Sequence, residues 1–167
     1  MTARRSPIAV AAALSLALAF AAAGCGGGSS DGNGTGNAGE QLSHRDLAAQ
    51  ANTACTKASA AIAKVPAATS VNGLAAYAGS VRAIGESLHA DLSKLTPTMA
   101  DRATFEQYLD GLKTSNRALA SMKAAAAKSD DDGVRTAAST IAGTDVGVLA
   151  ARAGFGSCAT ATKTPGS

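Results

Sequence analysis

Residues 70–97 read SVNGLAAYAGSVRAIGESLHADLSKLTP, and this stretch decides the fold. Apolar side chains recur in it at alternating spacings of three and four residues, which places them on one face of an α-helix. These side chains are Leu74, Tyr77, Val81, Ile84, Leu88, Leu92 and Leu95. The spacing predicts a helix from about residue 70 to residue 95. Thr96 and Pro97 end it, because the residue before a proline disfavours helical backbone angles.

A similar helix is predicted on the N-terminal side of this stretch. Ser43 followed by Asp46 resembles a helix-capping pair. Small and apolar residues then recur at helical spacing, namely Ala48, Ala51, Cys55, Ala58, Ile62 and Val65. We therefore expect a first helix that ends before Pro66.

Two more helices are predicted on the C-terminal side. The third resumes near Thr98, since proline is tolerated in a first turn, and fades in the alanine run 124–127. The fourth begins at residues 130–132, where three aspartates suit a helix N-terminus, and ends at Gly154. The apolar faces are Phe105, Leu109, Leu112, Leu119 and Met122 for the third helix, and Val134, Ala138, Ile141, Val148 and Ala151 for the fourth. Short loops make consecutive helices antiparallel neighbours, so we expect an all-α, up-down-up-down four-helix bundle over residues 41–160.

An apolar run at the N-terminus precedes the first cysteine. Arg4 and Arg5 are followed by residues 7–23, which are apolar except for Ser15, and small residues come directly before Cys25. The order resembles a bacterial lipoprotein signal, with Ala22-Ala23-Gly24-Cys25 at the lipobox, although that motif usually has Leu where Ala22 stands. The resemblance implies that residues 1–24 are removed and that Cys25 is lipidated at the extracytoplasmic face of the cell membrane. Ordinary secretory cleavage after Ala23 and an uncleaved anchor helix remain alternatives.

The cysteine count bears on this resemblance. Cys25, Cys55 and Cys158 are the three cysteines of the chain, and an odd number leaves one thiol to explain in an exported protein. If Cys25 carries lipid, Cys55 and Cys158 remain to form one disulfide, which an oxidising compartment allows. Gly154 and Gly156 would let the last residues fold back towards Cys55.

The segments on either side of the predicted domain lack large apolar side chains. Residues 25–40 read CGGGSSDGNGTGNAGE. This composition predicts a disordered tether with a root-mean-square span of about 20 Å. Residues 161–167 are predicted to form a disordered tail.

Four short motifs in the mature part support a second resemblance. They are Ala-Asn-Thr-Ala-Cys55, Leu95-Thr96-Pro97, the Phe-x-x-Tyr-Leu stretch from Phe105 to Leu109, and Gly-Phe-Gly-Ser-Cys158. In these motifs the mature chain is similar to small alanine-rich exported proteins of high-GC actinobacteria. The similarity implies a helical fold and the pairing of Cys55 with Cys158, and it implies no catalytic residue.

The charge pattern argues against nucleic acid as a partner. The 15 basic side chains fall to 13 once Arg4 and Arg5 leave with the signal, against 12 acidic ones, so the mature chain is nearly neutral. The sequence has no Lys/Arg cluster, no tryptophan, two tyrosines and three phenylalanines. It therefore lacks both the basic footprint and the stacking surface that nucleic-acid binding requires.

The possible metal ligands in the sequence do not form a complete set. Glu86 and His89 have the Glu-x-x-His spacing of di-iron bundles, but such sites need a second pair and two more glutamates, which the other helices do not supply. Residues 130–132 lack the alternate spacing of a calcium loop, and His44 has no partner at ligand spacing. We expect no metal and no cofactor.

Three classes of function remain open at this stage. The leading one is a non-enzymatic, lipid-tethered module that contacts an unknown envelope protein. The second is a ligand-binding or sensory bundle with a pocket lined by Tyr77, Tyr108 and Asn116, although Asn116 is expected first of all to fix the register of the third helix. An enzyme is the third, because no set of acid, base or metal ligands converges.

Overall fold

The domain is built from helices. The computed structural model describes residues 41–160, and the regular structure in this range is helical apart from one isolated parallel bridge between Leu42 and Pro97. The helices are α1 (His44–Ile62), α2 (Val71–Leu92), α3 (Met99–Ala126), α4 (Asp131–Thr144), α5 (Val146–Arg152) and α6 (Gly156–Thr160). The prediction of an all-α domain is confirmed.

The first four helices begin where the sequence predicts. At each start a side chain accepts a hydrogen bond from the backbone N–H three residues further on, which satisfies one of the free donors of the first turn. The capping residues are Ser43, Ser70, Thr98 and Asp130. Two of these helices end a few residues before the prolines that were expected to end them. The helix α1 ends at Ile62, before Pro66, and α2 ends at Leu92, before Pro97.

Each of the first three helices contacts the next one along the chain. The longest, α3, contacts α2, α4 and α5, while α6 contacts α1 and α5. The last part of the chain therefore returns to the first helix. The start of α1 also meets the start of α3, since the N–H of Leu42 donates to the carbonyl of Thr96 at 2.8 Å.

The prediction of one continuous fourth helix is wrong. The backbone is left-handed at Asp145, with a φ of 49°, and again at Gly154, with a φ of 78°. The first break separates α4 from α5, and the second produces the predicted stop before α6. Near the first break Leu149 packs against Gly111 of α3. The approach is so close that a Cβ atom added at Gly111 would lie 2.7 Å from Cδ1 of Leu149. Close approach to α3 therefore accompanies the interruption.

Three side chains of the predicted fourth stripe do not face the core. Ala138, Val148 and Ala151 were predicted to be buried, and all three are exposed. A left-handed residue rotates the helix that follows it, so Val148 and Ala151 do not continue the stripe of α4, and Ala150 and Ala153 are buried instead. Ala138 precedes the break, and its neighbour Ala137 is the residue of α4 that is buried.

The buried side chains form two clusters. The disulfide cluster consists of Leu47, Ala51, Cys55, Leu92, Phe105, Tyr108, Leu112, Ala150, Ala153, Phe155 and Cys158. The alanine cluster consists of Ala78, Met122 and Ala137, with Leu74, Leu119, Val134 and Ile141 packed against them. Because α3 contributes to both, the two clusters lie along the same helix.

Candidate functional site

The structure brings Cys55 of α1 and Cys158 of α6 to disulfide distance. Their Cα atoms are 5.1 Å apart across 103 residues of sequence, which lies within the range found in disulfides. Both side chains are buried in the disulfide cluster. The pair joins the first helix to the last described one, as the sequence predicts.

Aromatic side chains surround this pair. Phe155, in the turn before α6, makes edge-to-face contacts with Phe105 at 6.0 Å and Tyr108 at 5.4 Å between ring centroids. The hydroxyl of Tyr108 lies 3.4 Å from Cys55 Sγ. Burial raises the pKa of Tyr108 well above its usual range, because the phenolate would lose its solvation. Tyr108 therefore stays a neutral hydrogen-bond donor beside the sulfur atoms.

A polar contact fixes α6 against α1. The backbone N–H of Ser157 donates to Oδ1 of Asn52 at 2.8 Å. This donor belongs to the first turn of α6, where no intrahelical acceptor exists. Asn52 lies one turn before Cys55 on α1, so the contact places the last helix at the correct height for the cysteines to meet.

Sequence reasoning missed three residues of this region. Phe155, Leu47 and Asn52 were not among the predicted core or site residues, although the first two are among the most deeply buried side chains. A signal existed for Leu47, which continues the spacing of Ala51 and Cys55 by one turn. Phe155 lies between two glycines directly before a cysteine, a pattern that gives no period.

Glu86 and His89 do not lie in a ligand set. Glu86 Oε1 accepts a hydrogen bond from Nε of Arg82 at 2.9 Å, one turn back on α2. His89 Nδ1 lies 3.4 Å from Oγ of Ser93. Within residues 41–160, no group of three or more His, Cys, Asp or Glu side chains is placed to hold a metal ion.

His44 has a partner that the sequence did not indicate. Its Nδ1 atom lies 2.7 Å from Oδ1 of Asp101, and Oδ2 of the same carboxylate accepts from the hydroxyl of Thr98 at 2.7 Å. Two hydrogen bonds lower the pKa of Asp101. The one from Thr98 has the larger effect, and the one with His44 has the next largest. The contact ties the first turn of α1 to the first turn of α3.

The aspartates 130–132 form a helix start. Asp130 Oδ1 accepts from the N–H of Gly133 at 2.9 Å, and Asp132 pairs with Arg135 on the following turn. All three carboxylates are exposed. Asp130 satisfies one free N–H of the first turn of α4. All three aspartates lie at the N-terminus of this helix, where negative charge is favourable.

Tyr77, Tyr108 and Asn116, the residues of the predicted pocket, do not line either of the two surface grooves of the described residues. Tyr108 is buried in the disulfide cluster, and Asn116, 9 % exposed, lies against Gly85 where α2 and α3 approach closely. Tyr77 is half-buried on α2. Asn116 therefore lies in the α2–α3 contact, and its role in fixing the register of α3 stays a prediction.

Two open grooves lie between helices in the described part of the chain. The α1–α2 groove is lined by Ala49, Gln50, Thr53, Ala54, Lys57, Asp91 and Leu95. The α3–α4 groove is lined by hydroxyl groups, two cations and the carboxylate of Asp130 over small residues, including Thr114, Arg117, Ser121, Lys128, Thr136 and Thr140. The α1–α2 groove has one charge of each sign among its lining residues, Lys57 and Asp91.

Cys25 lies outside the described residues, as do the predicted signal, tether and tail. No helix in the described range combines the length and apolar composition that crossing a bilayer requires. Comparisons of the chain with protein-family models, with curated proteins and with solved structures give no match.

Proposed function

We propose that this protein is a lipid-anchored, non-enzymatic helical module that acts by protein contact at the extracytoplasmic face of the cell membrane. The observation that supports it best is the meeting of Cys55 and Cys158. It accounts for two of the three cysteines and leaves Cys25, in its lipobox-like sequence, as the remaining thiol. Two acyl chains at about 0.8 kcal/mol per buried methylene group suffice for stable anchoring.

The proposed architecture is an up-down-up-down bundle of α1 to α4, closed by α5 and α6. It is supported by the short connections between these helices and by the contacts of α1 with α2, α2 with α3, and α3 with α4. Contact between α6 and α1 completes the arrangement and carries Cys158 to Cys55.

The α1–α2 groove is the proposed contact surface. Its floor of Ala49, Ala54 and Leu95 offers apolar surface to a protein side chain or helix, and Lys57 and Asp91 add one charge of each sign. The pKa of Asp91 is lowered, first by its hydrogen bond with Lys94, so that it is ionised at neutral pH. Interfaces of this kind combine an apolar centre with a polar rim.

Intact-mass analysis of membrane-extracted protein tests the anchor. The expected mass lacks residues 1–24 and includes the added lipid on Cys25. Cys25→Ala should carry no lipid and should leave the precursor unprocessed by the lipoprotein route, with Cys55 and Cys158 still paired as the internal control. An unmodified Cys25 in protein from its own host contradicts the proposal.

Site-specific photo-crosslinking in intact cells tests the contact surface. A crosslinking side chain at Thr53, exposed in the α1–α2 groove, should give a discrete adduct with one envelope protein. The same side chain at Ser139, exposed on α4, is the matched control. Equal labelling at both positions, or the absence of any adduct from Thr53, would exclude this groove as the contact.

A further inference from the structure

The end of the domain where α1 begins is the end nearest the proposed anchor. Gln41, the first described residue, follows directly on the 16 residues numbered 25–40. The next residue, Leu42, bonds to Thr96 beside the start of α3. His44 contacts Asp101 of α3, and a Cβ atom at Gly154 would lie 3.2 Å from Nε2 of His44. The starts of α1 and α3 and the turn after α5 therefore meet at one end, called here the tether end.

The tether end carries the most exposed large apolar side chain in the described part of the chain. Met99, the first residue of α3, is 80 % exposed, compared with 43 % for Val148 and 40 % for Val71. It lies two residues from Pro97, which pairs with Leu42. A flexible methionine at this position is suited to entering a soft, irregular apolar phase.

Three exposed arginines belong to the elements that meet at the tether end. Arg45 lies in the first turn of α1, Arg102 one turn beyond Met99 on α3, and Arg152 at the end of α5. Two carboxylates belong to the same first turns, Asp46 with a hydrogen bond from Ser43 and Asp101 with hydrogen bonds from Thr98 and His44, so the arginines outnumber the carboxylates at this end by one. Basic side chains next to an exposed apolar group match an anionic lipid surface, which attracts each nearby arginine.

The length of the tether restricts which end of the domain can reach the membrane. The composition of residues 25–40 predicts a root-mean-square span of about 20 Å, whereas α3, with 28 residues, is about 42 Å long. A domain held at Gln41 therefore brings Met99 to the membrane far more often than the turn after α3.

We propose that the tether end docks on the anionic lipid surface to which Cys25 is anchored, with Met99 entering the headgroup region and Arg45, Arg102 and Arg152 facing the phosphates. This docking rests on the proposed lipidation of Cys25. It orients α3 away from the membrane and presents the sides of the bundle, including the α1–α2 groove, to proteins of the envelope.

The test uses the full lipidated chain in vesicles with equal parts of anionic phosphatidylglycerol and phosphatidylcholine. With Cys25 lipidated and Cys55 paired with Cys158, an introduced cysteine is the one free thiol. A fluorophore is attached at Ala103→Cys, one turn from Met99 on the same face of α3, or at Lys128→Cys beyond the far end of α3. Nitroxide lipids should quench the probe at position 103 several-fold more than the probe at position 128.

Met99→Asp provides the sharper comparison. An aspartate in the first turn suits the helix dipole, so the fold should be retained, and an unchanged melting temperature checks this. The variant should reduce the quenching at position 103 to the lower level that tethering alone produces, as should the parent chain in pure phosphatidylcholine or at high salt, which screens the arginines.

Two results would overturn the docking and they have different meanings. Equal quenching at positions 103 and 128, or no effect of Met99→Asp, in a chain whose lipid is confirmed by mass excludes the docking alone. A chain in which Cys25 carries no lipid overturns the proposed function and with it the docking that rests on it.

Discussion

The disulfide cluster and the alanine cluster lie along one helix and differ in how they are filled. In its first half, α3 contributes Phe105, Tyr108 and Leu112 to the disulfide cluster, where they meet Phe155 and the cysteines. In its second half it contributes Met122, which meets Ala78 and Ala137. Small side chains allow close helix contact but remove less apolar area from water, at about 25 cal/mol per Å².

This difference in filling implies that the disulfide cluster contributes more to the stability of the domain than the alanine cluster. The C-terminal segment returns to α1 at the cluster that already holds the aromatic side chains, so the cross-link and the largest buried groups coincide. The alanine cluster, in contrast, has no cross-link and is packed by leucine, valine and isoleucine side chains that are only partly buried. We expect perturbations of the disulfide cluster to exceed those of the alanine cluster.

Removing the cross-link should have the largest effect. Cys55→Ala combined with Cys158→Ala releases a loop of 103 residues, which on the chain-entropy model costs about 4.7 kcal/mol. At this domain size the melting temperature should fall by about 10 to 20 °C, measured by circular dichroism. Reduction of the parent protein should reproduce the shift. A shift of only a few degrees would show that the packing around Phe155 holds α6 without the bond.

Phe155→Ala should have the next largest effect, about 4 kcal/mol. The ring is fully buried and contacts both Phe105 and Tyr108. Chemical denaturation with the disulfide intact measures this loss without a change in covalent structure. Phe155→Leu is the control, because it keeps most of the volume and should recover more than half of the lost stability. If Phe155→Leu is as unstable as Phe155→Ala, buried volume is not what this site requires, and the aromatic ring itself stabilises it.

Met122→Ala makes the corresponding change in the alanine cluster and should cost only about 2 kcal/mol. The side chain is 9 % exposed, and its neighbours are small or partly exposed, so truncation leaves less unfilled volume. The same denaturation experiment places the two variants on one scale. A loss as large as that of Phe155→Ala would remove the distinction between the two clusters.

Asn52→Ala should cost about 1 kcal/mol, as expected for a lost capping acceptor. It removes the acceptor of the Ser157 N–H while leaving the cysteines in place. Hydrogen exchange should show faster exchange at Ser157 and little change in α3. Gln50→Ala, an exposed position two residues earlier on α1, should leave both quantities unchanged.

The smallest expected effect concerns acid. The pKa of Asp101 is lowered below 3.8 by Thr98 and His44. Its contribution to stability is therefore complete above the unfolded-state pKa and is lost as the pH falls through the lower folded-state value. Melting temperatures from pH 5 to pH 2 should show a steeper loss below pH 3.8 in the parent than in Asp101→Asn. Thr98→Ser, which keeps the hydroxyl, should retain the parent slope, and a loss of that slope would contradict the assignment.

Helix starts were predictable because their determinants are local. Ser43, Ser70 and Asp130 each cap an N–H three residues away, so a short stretch of sequence contains both partners. The break at Asp145 was not predictable in this way. It accompanies the packing of Leu149 on Gly111, which are far apart in sequence.

The candidate site was predicted in part for the same reason. Cysteine number, taken with the lipoprotein resemblance, led to the pairing of Cys55 with Cys158. The contact of Asn52 with Ser157 spans 105 residues and has no periodic signature, so no pattern in the sequence indicates it. Lipidation of Cys25 stays a prediction, as does the envelope partner.

The position of the cross-link also determines how the domain would bear a mechanical load. A force applied between any residue before Cys55 and any residue after Cys158 passes directly through the sulfur–sulfur bond. The first half of α1 can then be peeled away, but the intervening loop, which contains α2, α3, α4 and α5, carries no tension. Such a force would therefore unfold residues at the two ends of the domain and leave its longest helix under no tension.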